Sequence, residues 1–252
     1  MTQALQPWVV VPVYNHEHAI GITVDHLLPH GVPVLLVDDG SGASCAAALC
    51  DLASRHARQV TLLRLEQNGG KGAAVIAGMR QVAALGASHV LQIDADGQHD
   101  TADVPRFLAE SATHPHAVIN GRPLYDESVP TGRLVGRYAT HVWVWINTLS
   151  LDIADSMCGF RVYPLAATLA LLDRESVGRR MDFDIEIIVR LHWSGVPIRN
   201  LPTRVTYPLD GVSHFRLWRD NARISAMHTR LFFGMLWRAP RLLLRRVRRS
   251  MR

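Results

Sequence analysis

The stretch Val90-Leu91-Gln92-Ile93-Asp94-Ala95-Asp96-Gly97-Gln98-His99 determines how the rest of this 252-residue chain can be interpreted. It has the character of a buried strand that ends in two carboxylates one residue apart. On an extended segment residues i and i+2 point the same way, so Asp94 and Asp96 can face one point. Two adjacent carboxylates repel each other unless a cation or a proton separates them. The stretch predicts a divalent metal site shared with substrate phosphates, and the alternative is an ordinary Asp-rich turn.

A repeating pattern of strand, polar loop and helix precedes this stretch. Short apolar runs predict strands at 8–13, 34–37, 60–65 and 89–93, and the segments between them predict helices at 17–28, 46–58 and 73–85. This rhythm is typical of an α/β fold with a mostly parallel central sheet flanked by helices. Each strand is followed by polar residues, and the carboxyl ends of parallel strands share one edge of the sheet. The sequence therefore predicts a single site along that edge.

The second half of the chain is less regular. It predicts helices at 103–113, 134–151 and 183–193, strands at 116–120, 160–163 and 198–207, and a loop that contains Arg122 and Pro130. Beyond Phe215 the pattern predicts two amphipathic helices that are interrupted near Pro240. We therefore divide the chain into an α/β domain at 1–210 and basic amphipathic helices at 211–252.

Composition limits the functional classes. Hydrophobic residues make up 48% of the chain and charged residues 19%, which suits a folded domain with a sizeable core. The net charge of +5 comes from the end of the chain, where seven arginines are concentrated: Arg238, Arg241, Arg245, Arg246, Arg248, Arg249 and Arg252. No basic stripe extends into the main domain, so we expect no nucleic-acid partner. The three cysteines have no metal-type spacing, and we expect a reducing, cytoplasmic compartment.

Five motifs occur in an order that resembles the family 2 glycosyltransferases of the GT-A fold. They are Val9-Val10-Val11-Pro12-Val13-Tyr14-Asn15, Val37-Asp38-Asp39-Gly40-Ser41, Asn68-Gly69-Gly70-Lys71-Gly72, Asp94-Ala95-Asp96 and Ser156-Met157-Cys158-Gly159-Phe160-Arg161. The continuation Gln98-His99 resembles the dolichyl- and polyprenyl-phosphate sugar transferase branch. The resemblance covers roughly residues 8 to 207 and implies a Rossmann-like, GT-A-like domain that uses a nucleotide sugar.

The resemblance implies a donor site at the first four motifs. A carboxylate can accept hydrogen bonds from a base imino group or from ribose hydroxyls, and we expect Asp38 and Asp39 in that role. Glycines let the backbone approach a diphosphate closely, and Lys71 adds a cation. The expected donor-binding residues are Pro12, Tyr14, Asn15, Asp38, Asp39, Gly70, Lys71, Asp94 and Ala95. The alternatives are a strand-ending turn at Asp38 and a plain helix start at Gly69.

The metal expected here is Mg²⁺ or Mn²⁺, held by Asp94 and Asp96 against the two phosphates of the donor. Asp96 is the expected direct ligand and a catalytic residue, and Gln98 is a further candidate ligand. A divalent ion in this place would neutralise the departing nucleoside diphosphate.

The acceptor side is predicted from four basic residues and one carboxylate. Arg122, Arg133 and Arg137 match positions where the polyprenyl-phosphate branch carries phosphate-facing arginines, and His214 is a candidate to cover the donor phosphates. The alternative is that these arginines are merely solvated. Asp155 is the predicted catalytic base for an acceptor hydroxyl.

Two alternatives to Asp155 as the base remain open. Asp182, Asp184 and Glu186 compete for the same role, and Asp182 and Glu186 lie one helical turn apart. A phosphate acceptor is already ionised and needs no strong base, in which case Asp155 would only position it.

The chain end alternates bulky apolar residues with arginines from Met227 onward. This pattern fits a helix in an anionic membrane surface, and the alternative is a helix packed on the main domain. We expect neither a signal peptide nor a spanning helix, and hence a peripheral protein on the cytoplasmic face of the inner membrane.

These observations predict a metal-dependent, inverting glycosyltransferase. It would move one sugar from a UDP- or GDP-linked donor to a lipid-linked acceptor such as polyprenyl phosphate. The Gln-X-X-Arg-Trp motif of processive synthases is missing, so chain polymerisation is not expected. The alternatives are a nucleotidyltransferase and a catalytically inactive nucleotide-sugar-binding subunit.

Overall fold

A seven-stranded mixed sheet forms the centre of the protein. The computed structural model describes residues 5–125, 129, 131–206 and 216–250. The strands are β1 (Pro7–Val13), β2 (Val34–Asp38), β3 (Val60–Arg64), β4 (His89–Gln92), β5 (Val118–Tyr125), β6 (Arg161–Pro164) and β7 (Ile198–Val205). Their order is β3-β2-β1-β4-β6-β5-β7, and only β6 runs antiparallel to its neighbours β4 and β5. The predicted mostly parallel sheet is confirmed.

Helices cover both faces of the sheet. They are α1 (Ile20–Leu27), α2 (Ala43–Arg55), α3 (Lys71–Ala84), α4 (Val104–Thr113), α5 (Thr131–Thr148), α6 (Leu165–Leu172), α7 (Phe183–Ser194) and α8 (Leu217–Ser250). One buried apolar cluster lies between the sheet and α1, α2 and α4, and a second between the sheet and α3, α6 and α7. The apolar runs of β1, β2 and β4 are buried because helices cover them on both sides. A third cluster joins α5, α7 and α8.

Two predicted elements were wrong and one helix was not predicted, and each difference has a local reason. Arg122 lies in β5 rather than in a loop, since β5 continues to Tyr125 by pairing with β7 after its short pairing with β6 ends at Asn120. The chain end forms one helix, because α8 continues through Pro240, which is exposed. Helix α6 was not predicted at all, since its uniformly apolar sequence has no helical periodicity.

The predicted division at 210/211 stays a prediction, because residues 207–215 lie outside the described part of the chain. None of the helices in the described ranges combines the length and the apolar character that crossing a bilayer requires.

Candidate functional site

The strand order creates a crevice at the carboxyl ends of β1 and β4. From β1 the chain adds β2 and β3 on one side, whereas β4 lies on the other side. Ligands in open α/β sheets bind at this reversal of strand order. Val13 of β1 pairs with Asp38 of β2, and Val10 pairs with Gln92 of β4. The register therefore brings the residues after these strands to the same edge, as the sequence predicted.

Asp39 holds the glycine loop. Its two carboxylate oxygens accept hydrogen bonds from the backbone N–H groups of Gly69 and Gly70, both at 2.8 Å. The carboxylate is buried, and burial raises its pKa although the two backbone hydrogen bonds partly oppose that effect. Asp39 therefore fixes the loop before α3 in addition to its predicted place in the donor site.

Asp38 and Asn15 hold the neighbouring turn. Asp38 Oδ1 accepts a hydrogen bond from the Ser41 N–H at 2.8 Å, and Asn15 Oδ1 accepts one from the Gly42 N–H at 2.8 Å. Asn15 has a φ of 52°, which asparagine tolerates better than most residues. Both side chains thus shape the start of α2 beside the crevice.

The glycine loop packs against the segment before α7. Gly70 has a φ of 98°, and a Cβ there would lie 2.4 Å from Cγ of Arg180. The Ala73 N–H donates to the carbonyl of Arg179 at 2.9 Å, and Arg180 Nη1 donates to Asn68 Oδ1 at 3.1 Å. Only glycine fits at position 70 because both the backbone conformation and the space exclude a side chain.

Lys71 joins two carboxylates. Its Nζ lies 2.7 Å from Asp94 Oδ1 and 2.6 Å from Asp184 Oδ2, and Gln92 Nε2 donates to Asp184 Oδ1 at 2.9 Å. Burial alone would lower the pKa of Lys71, but Asp184 and Asp94 raise it above its usual value. The ammonium predicted to face the donor diphosphate is therefore neutralised by protein carboxylates.

The two aspartates of the motif differ in their surroundings. Burial alone would raise the pKa of Asp94, but the neighbouring Lys71 and His99 hold it well below the usual range. Burial and the negative charge of Asp94 raise the pKa of Asp96, whose Oδ1 accepts a hydrogen bond from the Gln98 N–H at 3.1 Å. Ala95 between them is buried. A cation beside Asp96 would relieve the repulsion that raises its pKa.

The donor set fits a divalent ion shared with a substrate. No cluster of three or more His, Cys, Asp or Glu side chains in the described ranges forms a metal site by itself. Mg²⁺ is commonly held by one or two carboxylates together with water and substrate phosphates. Asp96 is available as such a carboxylate, whereas Asp94 is bound to Lys71.

Asp155 is buried and fully hydrogen-bonded. Arg137 donates from Nε and Nη2 at 2.6 Å each, His141 Nε2 lies at 3.1 Å, and the N–H groups of Met157 and Cys158 donate at 2.8 Å. Burial alone would raise its pKa, but His141 and Arg137 hold it well below the usual range. These contacts favour the positioning role over that of a base, and either role stays a prediction.

The remaining predicted residues are placed as follows. Pro12 is buried at the end of β1, Tyr14 follows it half-buried, and Arg122 is exposed on β5. Arg133 belongs to α5, but its side chain is outside the described part, as is all of His214. Arg137 contacts Asp155 as described above. Of the four basic residues predicted on the acceptor side, the side chains of Arg122 and Arg137 are therefore the two that the structure describes.

Sequence reasoning missed three features of the site. Asp184 binds Lys71, Gly159 lies directly against the Asp94 carboxylate, and Arg180 covers Gly70. The glycine of the Cys158-Gly159-Phe160 segment was visible in the sequence, but its contact with Asp94 requires the pairing of β6 with β4. Arg180 lies in no recognisable motif.

Comparison with known proteins agrees with this geometry. A family profile described as Glycosyl transferase family 2 matches residues 8–179. A UDP-N-acetylglucosamine–dolichyl-phosphate N-acetylglucosaminyltransferase from Methanococcus voltae is 23% identical over 79% of this chain and 85% of its own length. A dolichyl-phosphate β-glucosyltransferase from Drosophila melanogaster is 27% identical over 85% and 71%. An undecaprenyl-phosphate mannosyltransferase from Micrococcus luteus is 28% identical over 77% and 80%.

Solved structures share the fold. Glucosyl-3-phosphoglycerate synthase from Mycobacterium tuberculosis, in complex with Mn²⁺, UDP-glucose and phosphoglyceric acid, has a TM-score of 0.64 at 18% identity over 93% of this chain and 80% of that one. A mannosyltransferase from Pyrobaculum calidifontis, in complex with GDP-mannose and Mn²⁺, has a TM-score of 0.57 at 14% identity over 96% and 74%. The predicted GT-A-like architecture is confirmed.

Proposed function

This chain belongs to glycosyl transferase family 2 and is a glycosyltransferase, and on that basis we propose that it moves one sugar from a UDP- or GDP-linked donor to a lipid-linked acceptor. The observation that carries the proposal is the crevice itself. Asp96 stands at the carboxyl end of β4, beside an Asp94 that is fixed by Lys71 and across from an Asp39 that fixes the glycine loop. A nucleoside diphosphate needs such an edge, with polar groups for the nucleoside and a metal-binding carboxylate for the phosphates.

The acceptor we propose is a polyprenyl-type phosphate. Relatives that align along most of this chain are named as transferases to dolichyl or undecaprenyl phosphate. Arg122 and Arg133 are the proposed contacts for the acceptor phosphate. Arg137 is the third proposed contact, and Asp155, whose carboxylate accepts hydrogen bonds from its Nε and Nη2, would position that guanidinium.

Asp96 and Gln98 are the proposed ligands of Mg²⁺ or Mn²⁺, with Asp94 beside them. Structural neighbours carry Mn²⁺ together with a nucleotide sugar. When bound, the ion would supply Lewis-acid neutralisation of the departing diphosphate.

The proposed step is a single displacement with inversion. An oxygen of the acceptor phosphate forms a bond to the anomeric carbon while the bond from that carbon to the donor diphosphate breaks, and the nucleoside diphosphate leaves with the electron pair. The attacking oxygen is already ionised, so no proton has to move and Asp155 can remain ionised, as its contacts favour. A hydroxyl acceptor would instead need a carboxylate to take its proton.

We also propose that the protein lies peripherally on a membrane, at its cytoplasmic face, where a lipid-linked acceptor is presented. Helices α5 and α8 pack together through Val144, Met227 and Leu231. The outer sides of the two helices expose Val135, Tyr138, Val142, Trp143, Ile146, Phe233, Leu236, Trp237, Leu243, Leu244 and Val247. Exposed apolar side chains between arginines suit an anionic lipid surface.

The first test is release of nucleoside diphosphate. The full chain is incubated with UDP- and GDP-sugars, Mg²⁺ or Mn²⁺, and a polyprenyl phosphate, and wild type is compared with Asp96→Asn and with the exposed surface variant Asp51→Asn. We expect metal-dependent release that falls at least 100-fold in Asp96→Asn and is unchanged in Asp51→Asn. Release of pyrophosphate instead would identify a nucleotidyltransferase. Binding of a nucleotide sugar without turnover on any acceptor would favour the inactive binding subunit.

A further inference from the structure

A guanidinium covers the glycine loop on the donor side of the crevice. Arg180 is half-buried and packs its Cγ where a Cβ of Gly70 would be, within 2.4 Å. Its Nη1 donates a hydrogen bond to Asn68 Oδ1 at 3.1 Å. The side chain therefore lies over the loop that joins β3 to the first turn of α3.

The positive charge of Lys71 is already balanced by carboxylates of the protein. Its ammonium is held between Asp94 and Asp184 at 2.7 and 2.6 Å. With Asp96 nearby, these four side chains carry three negative charges against one positive charge when all are ionised. A divalent ion at Asp96 would only balance this excess of negative charge, so the further negative charge of a donor diphosphate favours an additional cation.

The backbone of the loop is also largely occupied. The N–H groups of Gly69 and Gly70 donate to Asp39, and that of Ala73 donates to the carbonyl of Arg179. A phosphate-binding glycine loop would offer such groups to its ligand. Beyond the contacts that a metal ion would make, binding of phosphate oxygens therefore depends on side-chain donors.

Arg180 can supply the positive charge that the paired Lys71 and the loop backbone do not offer to a ligand. No carboxylate in the described part of the chain lies within ion-pair distance of its guanidinium. Its charge does act on Asp39, but both oxygens of that buried carboxylate already accept backbone hydrogen bonds. A guanidinium is permanently charged, and its planar set of donors matches two phosphate oxygens at once.

We propose that Arg180 is a donor-binding residue whose guanidinium contacts the diphosphate of the nucleotide sugar. This inference rests on the proposed function, because it assumes that the crevice takes a nucleoside diphosphate. It adds a cation from the segment before α7 to a donor site whose predicted residues, apart from the candidate His214, lie within the first 98 residues.

The test separates the contribution of the diphosphate from that of the nucleoside. Dissociation constants for UDP and GDP with Mn²⁺ are measured by calorimetry, and those for uridine and guanosine by ligand-observed NMR. The proteins are wild type, Arg180→Gln, Arg180→Lys and the matched control Arg179→Gln, whose side chain is exposed one residue away. For the nucleotide that wild type binds, we expect Arg180→Gln to weaken diphosphate binding at least tenfold and nucleoside binding less than twofold. Arg180→Lys should fall between, and Arg179→Gln should match wild type.

Three results would overturn the inference while leaving the proposed function intact. They are unchanged diphosphate binding in Arg180→Gln, an equal loss for nucleoside and diphosphate, and an equal loss in Arg179→Gln. The second would mean that Arg180 contacts the base or only supports the loop, and the third that net charge alone is responsible. If wild type bound neither UDP nor GDP, the proposed function itself would fail and this inference with it.

Discussion

Asp94 is held by residues from three separate parts of the chain. Lys71 of α3 pairs with it, His99 lies 3.8 Å from its Oδ2, and Gly159 leaves the space in which that oxygen sits. Asp96 has no comparable ion pair in the described part of the protein, and the negative charge of Asp94 raises its pKa. The first aspartate of the motif is therefore the fixed one, and the second is the one available to a metal.

Gly159 gives the sharpest test at the scale of one residue. A Cβ at this position would lie 2.1 Å from Asp94 Oδ2, so alanine must displace the carboxylate or the β6 segment. We expect Gly159→Ala to lower the rate of nucleoside diphosphate release at least tenfold and the free energy of unfolding by about 1–3 kcal/mol. Turnover assays and urea denaturation measure the two effects.

Gly21 provides the matched control for that substitution. It lies in α1, and no atom outside its own helical surroundings lies within 4 Å of an added Cβ. Gly21→Ala should keep the full rate and gain up to about 1 kcal/mol, because alanine favours helix. A Gly159→Ala enzyme with unchanged rate would show that the position of Asp94 does not matter for turnover.

The residues that could be predicted from the sequence are those whose position follows from a strand end. Asp38 ends β2, and Asp39, Asp94 and Asp96 follow strands whose carboxyl ends share one edge, so their place at that edge could be predicted. The expectation that Asp94 and Asp96 continue an extended strand was wrong, because β4 ends at Gln92 and Asp96 lies in a turn. The partner of Lys71 could not be predicted, because Asp184 reaches it only through the packing of α7 on the second core cluster. The contacts of Asp155 likewise depend on the angle at which α5 crosses, which no local pattern encodes.

At the scale of elements, α8 shows how packing overrides the helix-breaking tendency of a proline. Pro240 lacks an N–H and its ring crowds the preceding turn, which is why the sequence favoured two helices. Met235 before it and Leu242 after it are both buried in the third cluster, so one continuous helix buries more apolar surface than two separate helices would. The proline ring itself is exposed and contributes little packing.

Replacing this proline should therefore stabilise the protein. Pro240→Ala restores a backbone donor in the helix, and we expect the free energy of unfolding to rise by about 1–3 kcal/mol. Pro33→Ala, in the loop before β2, should instead lower it by less than about 1 kcal/mol, because the unfolded chain gains freedom. Urea denaturation of both variants measures the two changes, and a loss of stability in Pro240→Ala would mean that the packing of α8 depends on Pro240.

The same helix carries a histidine that should make its packing sensitive to acid. His228 is buried between α8 and α5, with Asn147 at 3.2 Å and the Trp143 ring nearby. Burial lowers its pKa from 6.5 to about 4, so the folded protein keeps it neutral. Below pH 6.5 the unfolded chain binds the proton more readily, and stability falls as the pH drops from 6.5 toward 4.

His228→Gln removes this proton linkage. Between pH 7 and about pH 4 we expect wild type to lose roughly 2–3 kcal/mol more than the variant does, while all other groups titrate equally in both. Urea denaturation across that range gives the difference directly. If the two proteins lost stability in parallel, His228 would have to be protonated or solvated in the folded state.

At the scale of the whole molecule, α5 connects the crevice to an apolar surface. Its inner side directs Arg137 and His141 to Asp155, and its outer side exposes Tyr138 and Val142. Helix α8 packs alongside and extends the exposed apolar surface. If a lipid bound to that surface, its phosphate would lie near residues that the same helix orients, as the proposed peripheral placement on a membrane requires. The parallel half of the fold could be predicted from its rhythm, but this arrangement could not, because it depends on the third cluster.

This surface predicts binding to anionic vesicles. Trp237 is 87% exposed on α8, and we expect Trp237→Ser to weaken cosedimentation with phosphatidylglycerol-containing vesicles roughly tenfold, because a buried aromatic ring contributes more than 1 kcal/mol. Ile22→Ser on α1, an exposed apolar residue away from α5 and α8, should bind as wild type does. Binding should also weaken as salt rises from about 0.1 M to about 1 M, since arginines attract the lipid headgroups and a shorter Debye length screens them. Equal loss in both variants, or binding to neutral vesicles that salt does not change, would mean that the apolar face of α5 and α8 covers something other than an anionic bilayer.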